Sequence, residues 1–164
     1  MQNEQCLELF SNYLKNDKKA SGNTLSSYMR DIRQLSDFLA FNCSVNISDA
    51  SEEDLEEYIA ELRGLGKSVA TVSRAIASIK GLYAYLTLNR YIDKNPSCKL
   101  VPEKNEHKLP EILTSKEVEL LLNQPKCIDL KGYRDKAMLE LLYATGIRVS
   151  ELINLNMEDV NINA

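Results

Sequence analysis

The chain has 164 residues, of which 44% are hydrophobic, and this length suits one medium domain or a small domain with part of a second. With 6 glycines, 4 prolines and no tryptophan, the composition is typical of a helix-rich globular protein, and no apolar run approaches the roughly 20 residues that cross a bilayer. A net charge of −4 argues against a nucleic-acid partner unless the charge is unevenly distributed along the chain.

Four stretches of helical periodicity are predicted in the N-terminal part of the chain. They cover residues 3–15, 24–41, 51–63 and 67–89. Ser51 and the acid three residues later are close to a capping box at the start of the third stretch, and two glycines separate the third stretch from the fourth. Short connections between four amphipathic helices predict a compact helical bundle, which we place in residues 1–95.

A charged segment with three prolines follows the bundle and predicts an inter-domain linker over residues 96–110. Its prolines are Pro96, Pro102 and Pro110. Beyond it, Thr114 and Glu117 have the spacing of a second capping box and indicate the start of a new helix.

The second domain, residues 111–164, is expected to continue with a helix over about 131–145 and a short helix over 149–155. Val160 and Ile162 alternate with asparagines, which suggests the beginning of a β-strand. Since a strand is unstable without a partner strand, we expect this domain to be incomplete within the sequence. The predicted fold class is mainly α, ending in the helical start of a truncated α/β domain.

Charge is unevenly distributed along the predicted bundle. Residues 49–61 carry seven acids and no base, whereas residues 62–100 carry seven bases and one acid, Asp93. The acids fall in the first turns of a predicted helix, where carboxylates favour the positive end of the helix dipole, and a solvated face accounts for them. The local excess of bases, rather than the total charge, decides where a polyanion could bind.

Two predicted helices carry cations and hydroxyl groups suited to the phosphates of duplex DNA. The candidates are Lys67, Thr71, Arg74, Ser78 and Lys80 near or on helix 67–89, and Thr24, Ser27, Arg30 and Arg33 on helix 24–41. Small neighbours such as Ala77 and Gly81 would let a sugar-phosphate backbone approach closely. A helical protein-interaction module with a solvated basic face is the alternative. A transcription factor is disfavoured because no helix-turn-helix signature is present.

Arg148 lies between two apolar runs in the stretch LLYATGIRVSELINL, residues 141–155. Gly146 permits the left-handed backbone that ends a helix, and Glu151 can hold the Arg148 guanidinium by a charge-assisted hydrogen bond. A guanidinium fixed at a rigid junction suits bidentate recognition of a phosphate and stabilisation of charge that develops during phosphoryl transfer. An ion pair that only ties the turn together is the alternative.

The stretch RDKAMLELLYATGIRVSELINLNMEDV, residues 134–160, resembles the first catalytic-arginine segment of tyrosine recombinases, and among them the Xer-type recombinases and phage-type integrases. Upstream, TLSSYMRDIRQLSDFL, SVATVSRAIASIKGLYAYL and KLPEILTSKEVELLL resemble the N-terminal half of the same family in order and spacing. The resemblance implies a SAM-like core-binding domain in residues 1–95 and the opening of a mixed α/β catalytic domain in residues 111–164, which together clamp DNA.

The resemblance also implies roles for two residues. Arg148 would contact the scissile phosphate and stabilise the pentacoordinate transition state, and Glu151 would help to orient Arg148. The family's lysine, its His-x-x-Arg pair, its further His or Trp and its nucleophilic tyrosine lie downstream, and no residue of this chain matches them. We therefore expect a truncated recombinase that binds DNA but does not cleave it alone.

In a full-length recombinase of this kind, the resemblance implies that several protomers act together at a recombination site. A tyrosine would attack the phosphodiester and form a 3′-phosphotyrosyl link, without a metal or nucleotide hydrolysis.

Cysteine and histidine usage predicts neither a metal site nor another cofactor. The four cysteines form no CxxC pair and are expected to be buried thiols, and the single histidine, His107, has no ligand cluster around it. The N-terminal stretch MQNEQCLELF lacks the features of a signal peptide, which predicts a cytoplasmic protein that is not bound to a membrane.

Overall fold

A computed structural model describes residues 2–103 and 111–160 of the chain. The chain divides into two compact units, Met1–His107 and Lys108–Ala164. All regular elements among the described residues are helical, which confirms the predicted mainly α fold class. The strand predicted from Val160 to Ile162 falls largely on residues 161–164, which lie outside the described residues.

The described residues of the first unit form four α-helices, each starting and ending within a few residues of its predicted range. They are α1 (Asn3–Asn16), α2 (Gly22–Phe38), α3 (Glu52–Gly64) and α4 (Val69–Leu88). A π-helical turn, Leu39–Cys43, extends α2, and a 3₁₀ turn, Ile47–Asp49, precedes α3.

One apolar stripe from each helix builds the core of the first unit, as the periodicity predicts. The fully buried large side chains include Phe10, Ile32, Leu35, Leu55, Ile76, Ile79, Leu82 and Leu86. Burying one such side chain contributes about 1.5–3 kcal/mol, so the stripes supply most of the stability of these helices. The Tyr83 hydroxyl donates to the Ile47 carbonyl at 2.9 Å and ties the 3₁₀ turn to α4.

Serine side chains begin three of the helices in the described part of this unit. Ser21, Ser51 and Ser68 each accept a hydrogen bond from the backbone N–H three residues later. The capping box predicted at Ser51 is confirmed, because its N–H donates to Asp54 Oδ2 at 2.8 Å. The first turns of α2 and α4 carry no acid, in contrast to α3. The first turns of α2 and α4 therefore contribute no negative charge to the amino ends of these helices.

The first part of the predicted linker packs on the bundle, and we call residues 96–103 the strap. Leu100 joins the core, and Lys80 Nζ donates to the Leu100 carbonyl at 2.8 Å. Arg63 pairs with Glu103 at 2.7 Å. These contacts come from individual side chains that follow no helical periodicity, so the sequence pattern does not predict them.

The second unit contains three helices in its described residues, close to the predicted ranges. They are α5 (Ser115–Leu122), α6 (Leu130–Thr145) and α7 (Val149–Ile153), followed by a 3₁₀ turn, Met157–Asp159. The capping box predicted at Thr114 and Glu117 is confirmed. Among the described residues of this unit, Leu152 is the one buried large hydrophobic side chain.

The prediction that the cysteines are buried thiols is confirmed for Cys6 and wrong for Cys98. Cys6 is fully buried, and burial raises the pKa of its thiol to about 11. Cys43 and Cys127 are partly buried, and Cys98 is exposed in the strap. The average preference of cysteine for protein interiors does not locate an individual thiol.

Candidate nucleic-acid interface and arginine junction

α2 and α4 pack side by side in antiparallel directions. Tyr28, near the start of α2, lies beside Gly81 in the second half of α4. Asp31, one turn further along α2, contacts Arg74 and Ser78, which lie earlier on α4. The two helices that carry the predicted DNA contacts are therefore direct neighbours.

A buried carboxylate joins these two helices. Asp31 is 2% exposed and accepts hydrogen bonds from Arg74 Nε at 3.0 Å and from Arg74 Nη2 at 2.8 Å. The hydrogen-bonded carboxylate raises the pKa of Arg74 above its ordinary value, because it stabilises the charged guanidinium. The Arg74 side chain nevertheless remains 39% exposed. Asp31 was not among the predicted site residues, although a carboxylate within the apolar stripe of α2 is a visible signal in the sequence.

The structure corrects the prediction for Ser78, which the sequence analysis placed among the DNA-contacting residues. Its side chain is fully buried, and its hydroxyl donates to Asp31 Oδ2 at 2.9 Å. α4 is covered by α2 on this side, so a serine at the edge of the apolar stripe lies inside the bundle. Ser78 is therefore unavailable to a phosphate.

The four candidates on α2 do not share one face. Residues three apart are separated by about 300° around a helix, so a run at this spacing spirals around the helix axis. Thr24 lies on the α4 side, in a groove of about 450 Å³ that Tyr28 and Ala77 also line. The Ser27 hydroxyl is partly buried and donates to the Asn23 carbonyl at 2.8 Å.

Arg30 and Arg33 lie on the side of α2 that faces α1. Both are exposed and line a groove of about 500 Å³ together with Lys15 of α1. Lys15 was not among the predicted site residues, because its proximity to α2 depends on how the two helices pack. Asp37 also lines this groove, so three cations and one carboxylate border it on the α1 side of α2.

The exposed face of α4 is a stripe of small residues. Ala70, Ala77 and Ala84 recur at two-turn spacing and are all exposed. Thr71 lies in the first turn, and its hydroxyl is 2.9 Å from Ser68 Oγ. Arg74 emerges beside this stripe, so one cation and one hydroxyl group flank a surface that a nucleic-acid backbone can approach closely.

The two lysines predicted as DNA contacts have different surroundings. Lys67 precedes α4 and is exposed. Lys80 is partly buried and uses one of its three donors to hold the Leu100 carbonyl of the strap. Lys80 therefore has a structural partner that the sequence analysis did not anticipate.

The arginine junction has the geometry that its sequence predicts. Gly146 ends α6 in the left-handed region, with a φ of 67°, and its N–H donates to the Leu142 carbonyl at 2.9 Å. The Arg148 N–H donates to Glu151 Oε2 at 2.8 Å, and Arg148 Nη1 donates to Glu151 Oε1 at 3.0 Å. The predicted hydrogen bond between Arg148 and Glu151 is confirmed.

Glu151 holds Arg148 without burying it. The Arg148 side chain is 81% exposed, and the Glu151 side chain is 51% exposed. Only one guanidinium nitrogen contacts the carboxylate, so most of the five guanidinium donors remain available. The arrangement can present a positive fork to an anion in solvent.

No group of three or more potential metal ligands occurs among the described residues. Within residues 2–103 and 111–160, no helix is long and apolar enough to cross a membrane.

Two family models match the chain. The N-terminal SAM-like domain of phage integrases matches residues 7–90, and the phage integrase family matches residues 111–164. The two matches fall on the two structural units.

The chain is similar to curated tyrosine recombinases. A protein of Caldanaerobacter subterraneus subsp. tengcongensis named as a tyrosine recombinase is 42% identical over 153 residues, which cover 93% of this chain and 52% of that protein. Tyrosine recombinase XerD of Staphylococcus epidermidis is 36% identical over 156 residues, covering 95% of this chain and 53% of that protein. The chain therefore spans about half the length of these relatives.

The fold is similar to that of a solved integrase structure. That structure is the integrase of the Tn1549 transposon in complex with circular intermediate DNA, with a TM-score of 0.69 and 22% sequence identity. The similarity covers 96% of this chain and 51% of the integrase chain.

Proposed function

The chain belongs to the phage integrase family, and from that premise we propose that its helical bundle binds duplex DNA while Arg148 serves the cleavage site of a longer tyrosine recombinase. In that recombinase a tyrosine outside the present sequence attacks the phosphodiester and forms a 3′-phosphotyrosyl link, while the bond from phosphorus to the 5′-oxygen breaks and that oxygen leaves as a 5′-hydroxyl. The guanidinium of Arg148 stabilises the charge that develops on the phosphate. Several protomers act together at the recombination site, in the cytoplasm, and no metal or other cofactor is required.

The observation that carries this proposal is the exposed and fixed guanidinium of Arg148. The Arg148 side chain is 81% exposed and uses a single guanidinium nitrogen to bind Glu151, so most of its guanidinium donors remain free for a phosphate. The matching segment of the phage integrase family covers this junction. The names of the relatives and the DNA complex of the Tn1549 integrase support the assignment to DNA recombination.

For the bundle, we propose a DNA-binding face formed by α2 and α4. Thr24, Thr71 and Arg74 lie along these neighbouring helices, and Lys67 precedes α4. The alanine stripe of α4 removes the steric barrier to a sugar-phosphate backbone. Ser78 is excluded from this set by its burial.

Ser27, Arg30, Arg33 and Lys80 remain predicted DNA contacts with weaker structural support. The Ser27 hydroxyl and one Lys80 donor already have partners within the chain. Arg30 and Arg33 face α1 and reach DNA only where the duplex extends around that side of α2.

A salt series tests DNA binding directly. The chain is titrated into a labelled mixed-sequence duplex, and the dissociation constant is measured from low to physiological salt. Binding should weaken steeply as salt rises, because bound cations displace the counterions of the duplex. Replacing Arg74 or Lys67 with alanine should weaken binding and reduce the salt slope by about one each. Lys94→Ala, which removes an exposed cation that lies beyond the end of α4 and outside the proposed set, is the matched control.

The alternative function, a helical protein-interaction module, is favoured by one observation: Arg74 and Lys80 both have partners within the chain. It predicts no salt-dependent binding to the duplex and no difference between Arg74→Ala and Lys94→Ala. The same titration therefore separates the two functions.

Cleavage requires residues beyond those of this chain, so the role of Arg148 is tested in a chimera. The chain is continued with the C-terminal half of the Caldanaerobacter relative, and strand cleavage is measured as formation of a covalent protein–DNA complex. Arg148→Ala should reduce the cleavage rate by about 10²–10³-fold, the usual effect of removing one preorganised donor. Arg134→Ala, an exposed arginine paired with the adjacent Asp135, is the control. Equal rates for the two variants would contradict a catalytic role of Arg148.

A further inference from the structure

We propose that Asp31 is a positioning residue for DNA recognition. It orients the Arg74 guanidinium so that the edge of the guanidinium that points away from Asp31 faces a phosphate. This inference rests on the proposed DNA binding of the bundle and assigns a function to a buried carboxylate that does not itself reach DNA. It concerns how the binding face is built rather than whether the bundle binds.

The geometry of the contact leaves the outer edge of the guanidinium free. Arg74 uses Nε and Nη2 to bind the two oxygens of Asp31, which is a side-on arrangement. An arginine has five N–H donors in a rigid planar fork. Two of them face Asp31, and the edge formed by Nη1 and the second hydrogen of Nη2 remains available. That edge can bind a phosphate through two parallel hydrogen bonds.

Asp31 is itself held in place by a third donor. The Ser78 hydroxyl is fully buried and donates to Asp31 Oδ2 at 2.9 Å. The same hydroxyl lies 3.1 Å from the Arg74 carbonyl, one turn earlier on α4. Asp31 therefore has a fixed position between the two helices. Because Asp31 binds two nitrogens of Arg74, it also fixes the plane of the Arg74 guanidinium.

A role in stability alone does not account for this arrangement. Removing a carboxylate from water carries a desolvation penalty that often cancels the attraction to its partner, so a buried ion pair is weak evidence of stabilisation. An apolar residue at position 31 would continue the stripe formed by Ile32 and Leu35. The carboxylate instead fixes one cation that remains 39% exposed on the helix pair proposed to meet DNA.

A positioning role and a purely electrostatic role of Asp31 predict opposite changes in DNA affinity when Asp31 is neutralised. Asp31 carries a negative charge close to the proposed phosphate site, so its neutralisation should tighten DNA binding if only charge matters. If Asp31 orients Arg74, its neutralisation should weaken DNA binding, because the guanidinium loses its fixed plane. The sign of the change in affinity therefore separates the two explanations.

The test compares Asp31→Asn with Asp37→Asn in the full chain. Asp37 is an exposed aspartate on the same helix, so its substitution removes the same charge without touching Arg74. Affinity for the mixed-sequence duplex is measured at low salt, well below the thermal unfolding midpoint of every variant. Asp31→Asn should weaken binding about tenfold and reduce the salt slope by about one, whereas Asp37→Asn should leave affinity unchanged or slightly higher.

A double-mutant cycle adds a readout that a purely structural role would not produce. If Asp31 acts through Arg74, the variant carrying both Asp31→Asn and Arg74→Ala should bind no more weakly than Arg74→Ala alone. Additive losses, or an Asp31→Asn variant that binds as tightly as the wild type or more tightly, would overturn the inference.

If Asp31→Asn does not fold, the affinity of Arg74→Lys for the duplex tests the inference instead. Lysine keeps the charge but lacks the planar fork, so it should bind as weakly as Arg74→Ala. Wild-type affinity in Arg74→Lys would show that a point charge is sufficient and would overturn the positioning role. Failure of the proposed function has a different signature, since the wild-type chain would then show no salt-dependent binding to the duplex.

Discussion

Arg74 and Arg148 are each held by one carboxylate, in contrasting surroundings. Arg74 binds the buried Asp31 through two guanidinium nitrogens, whereas Arg148 binds the exposed Glu151 through one guanidinium nitrogen and its backbone N–H. A buried carboxylate with several donors fixes a side chain strongly, while an exposed ion pair usually contributes about 0–1 kcal/mol. Arg74 is therefore part of the architecture of the bundle, and Arg148 depends mainly on its own turn for its position.

At the residue scale, Ser78→Ala should destabilise the first unit by about 1–2 kcal/mol, because Asp31 loses one of its three buried hydrogen bonds. Urea denaturation of the chain, followed by far-ultraviolet circular dichroism, measures the change. Ser26→Ala, an exposed serine on α2, is the control and should change stability by less than about 0.5 kcal/mol. Equal effects of the two substitutions would show that the buried network contributes nothing to stability.

The helices of the first unit are stabilised at their ends by side chains that the sequence already identifies. In α3, Asp54 accepts hydrogen bonds from the N–H and the hydroxyl of Ser51, at 2.8 and 2.9 Å. These bonds lower the pKa of Asp54, the backbone bond most strongly, because they stabilise its ionised form. The stability of this helix start is therefore linked to pH.

A group whose pKa is lower in the folded protein stabilises the fold above its unfolded pKa, and this contribution is lost as pH falls through the folded value. For Asp54 the ordinary value is 3.8, so the contribution should be complete at neutral pH and decline below pH 3.8. Asp54→Asn should flatten the loss of stability in that range, measured by urea denaturation at a series of pH values. Glu61→Gln, on the exposed side of the same helix, should retain the wild-type profile. Identical profiles for Asp54→Asn and the wild type would contradict the linkage.

The strap is a nonhelical segment that is attached to α4. Lys80 Nζ holds the Leu100 carbonyl, and the Leu100 N–H donates to the Ser97 carbonyl at 3.3 Å. In Lys80→Ala the Leu100 amide should exchange its hydrogen several-fold faster, because the local opening of the strap becomes easier. Hydrogen exchange measured by mass spectrometry reports this change. The core of α4 should remain protected, and Lys67→Ala should leave the strap unchanged. Unchanged exchange at Leu100 in Lys80→Ala would show that the apolar contact alone holds the strap.

At the scale of the whole molecule, the two units differ in how much apolar surface they bury. The first unit has a continuous core that includes side chains from all four helices and Leu100 of the strap. In the described part of the second unit, large side chains remain exposed on all three helices. They include Leu120, Leu130, Tyr133, Tyr143 and Ile153. Exposed apolar surface of this extent is typical of a face that packs against further polypeptide.

We therefore expect the first unit to fold independently and the second unit not to do so. A protein of residues 1–107 should unfold cooperatively on heating, followed by circular dichroism. A peptide of residues 108–164 should retain some helix, bind a hydrophobic dye and show no cooperative transition. A cooperative transition in that peptide, without self-association, would show that its three helices need no further covering surface.

The sequence by itself determined the helices, their ends and the arginine junction. The apolar periods of α1–α4, the capping boxes at Ser51 and Thr114, and Gly146 with Glu151 around Arg148 all act over a few residues, so they can be read from the chain. The family resemblance followed from the same local patterns. These features depend on backbone geometry and on side chains that are close in sequence.

Only the tertiary structure decided which polar residues face solvent. Ser78 and Asp31 are distant in sequence but meet where α2 covers α4, Lys15 approaches Arg33 only because α1 packs on α2, and Lys80 faces the strap. A polar side chain at the edge of an apolar stripe is either exposed or buried, depending on which neighbour covers that edge. This choice is set by contacts between elements rather than by the period of one helix, and it determines the residues that can meet DNA.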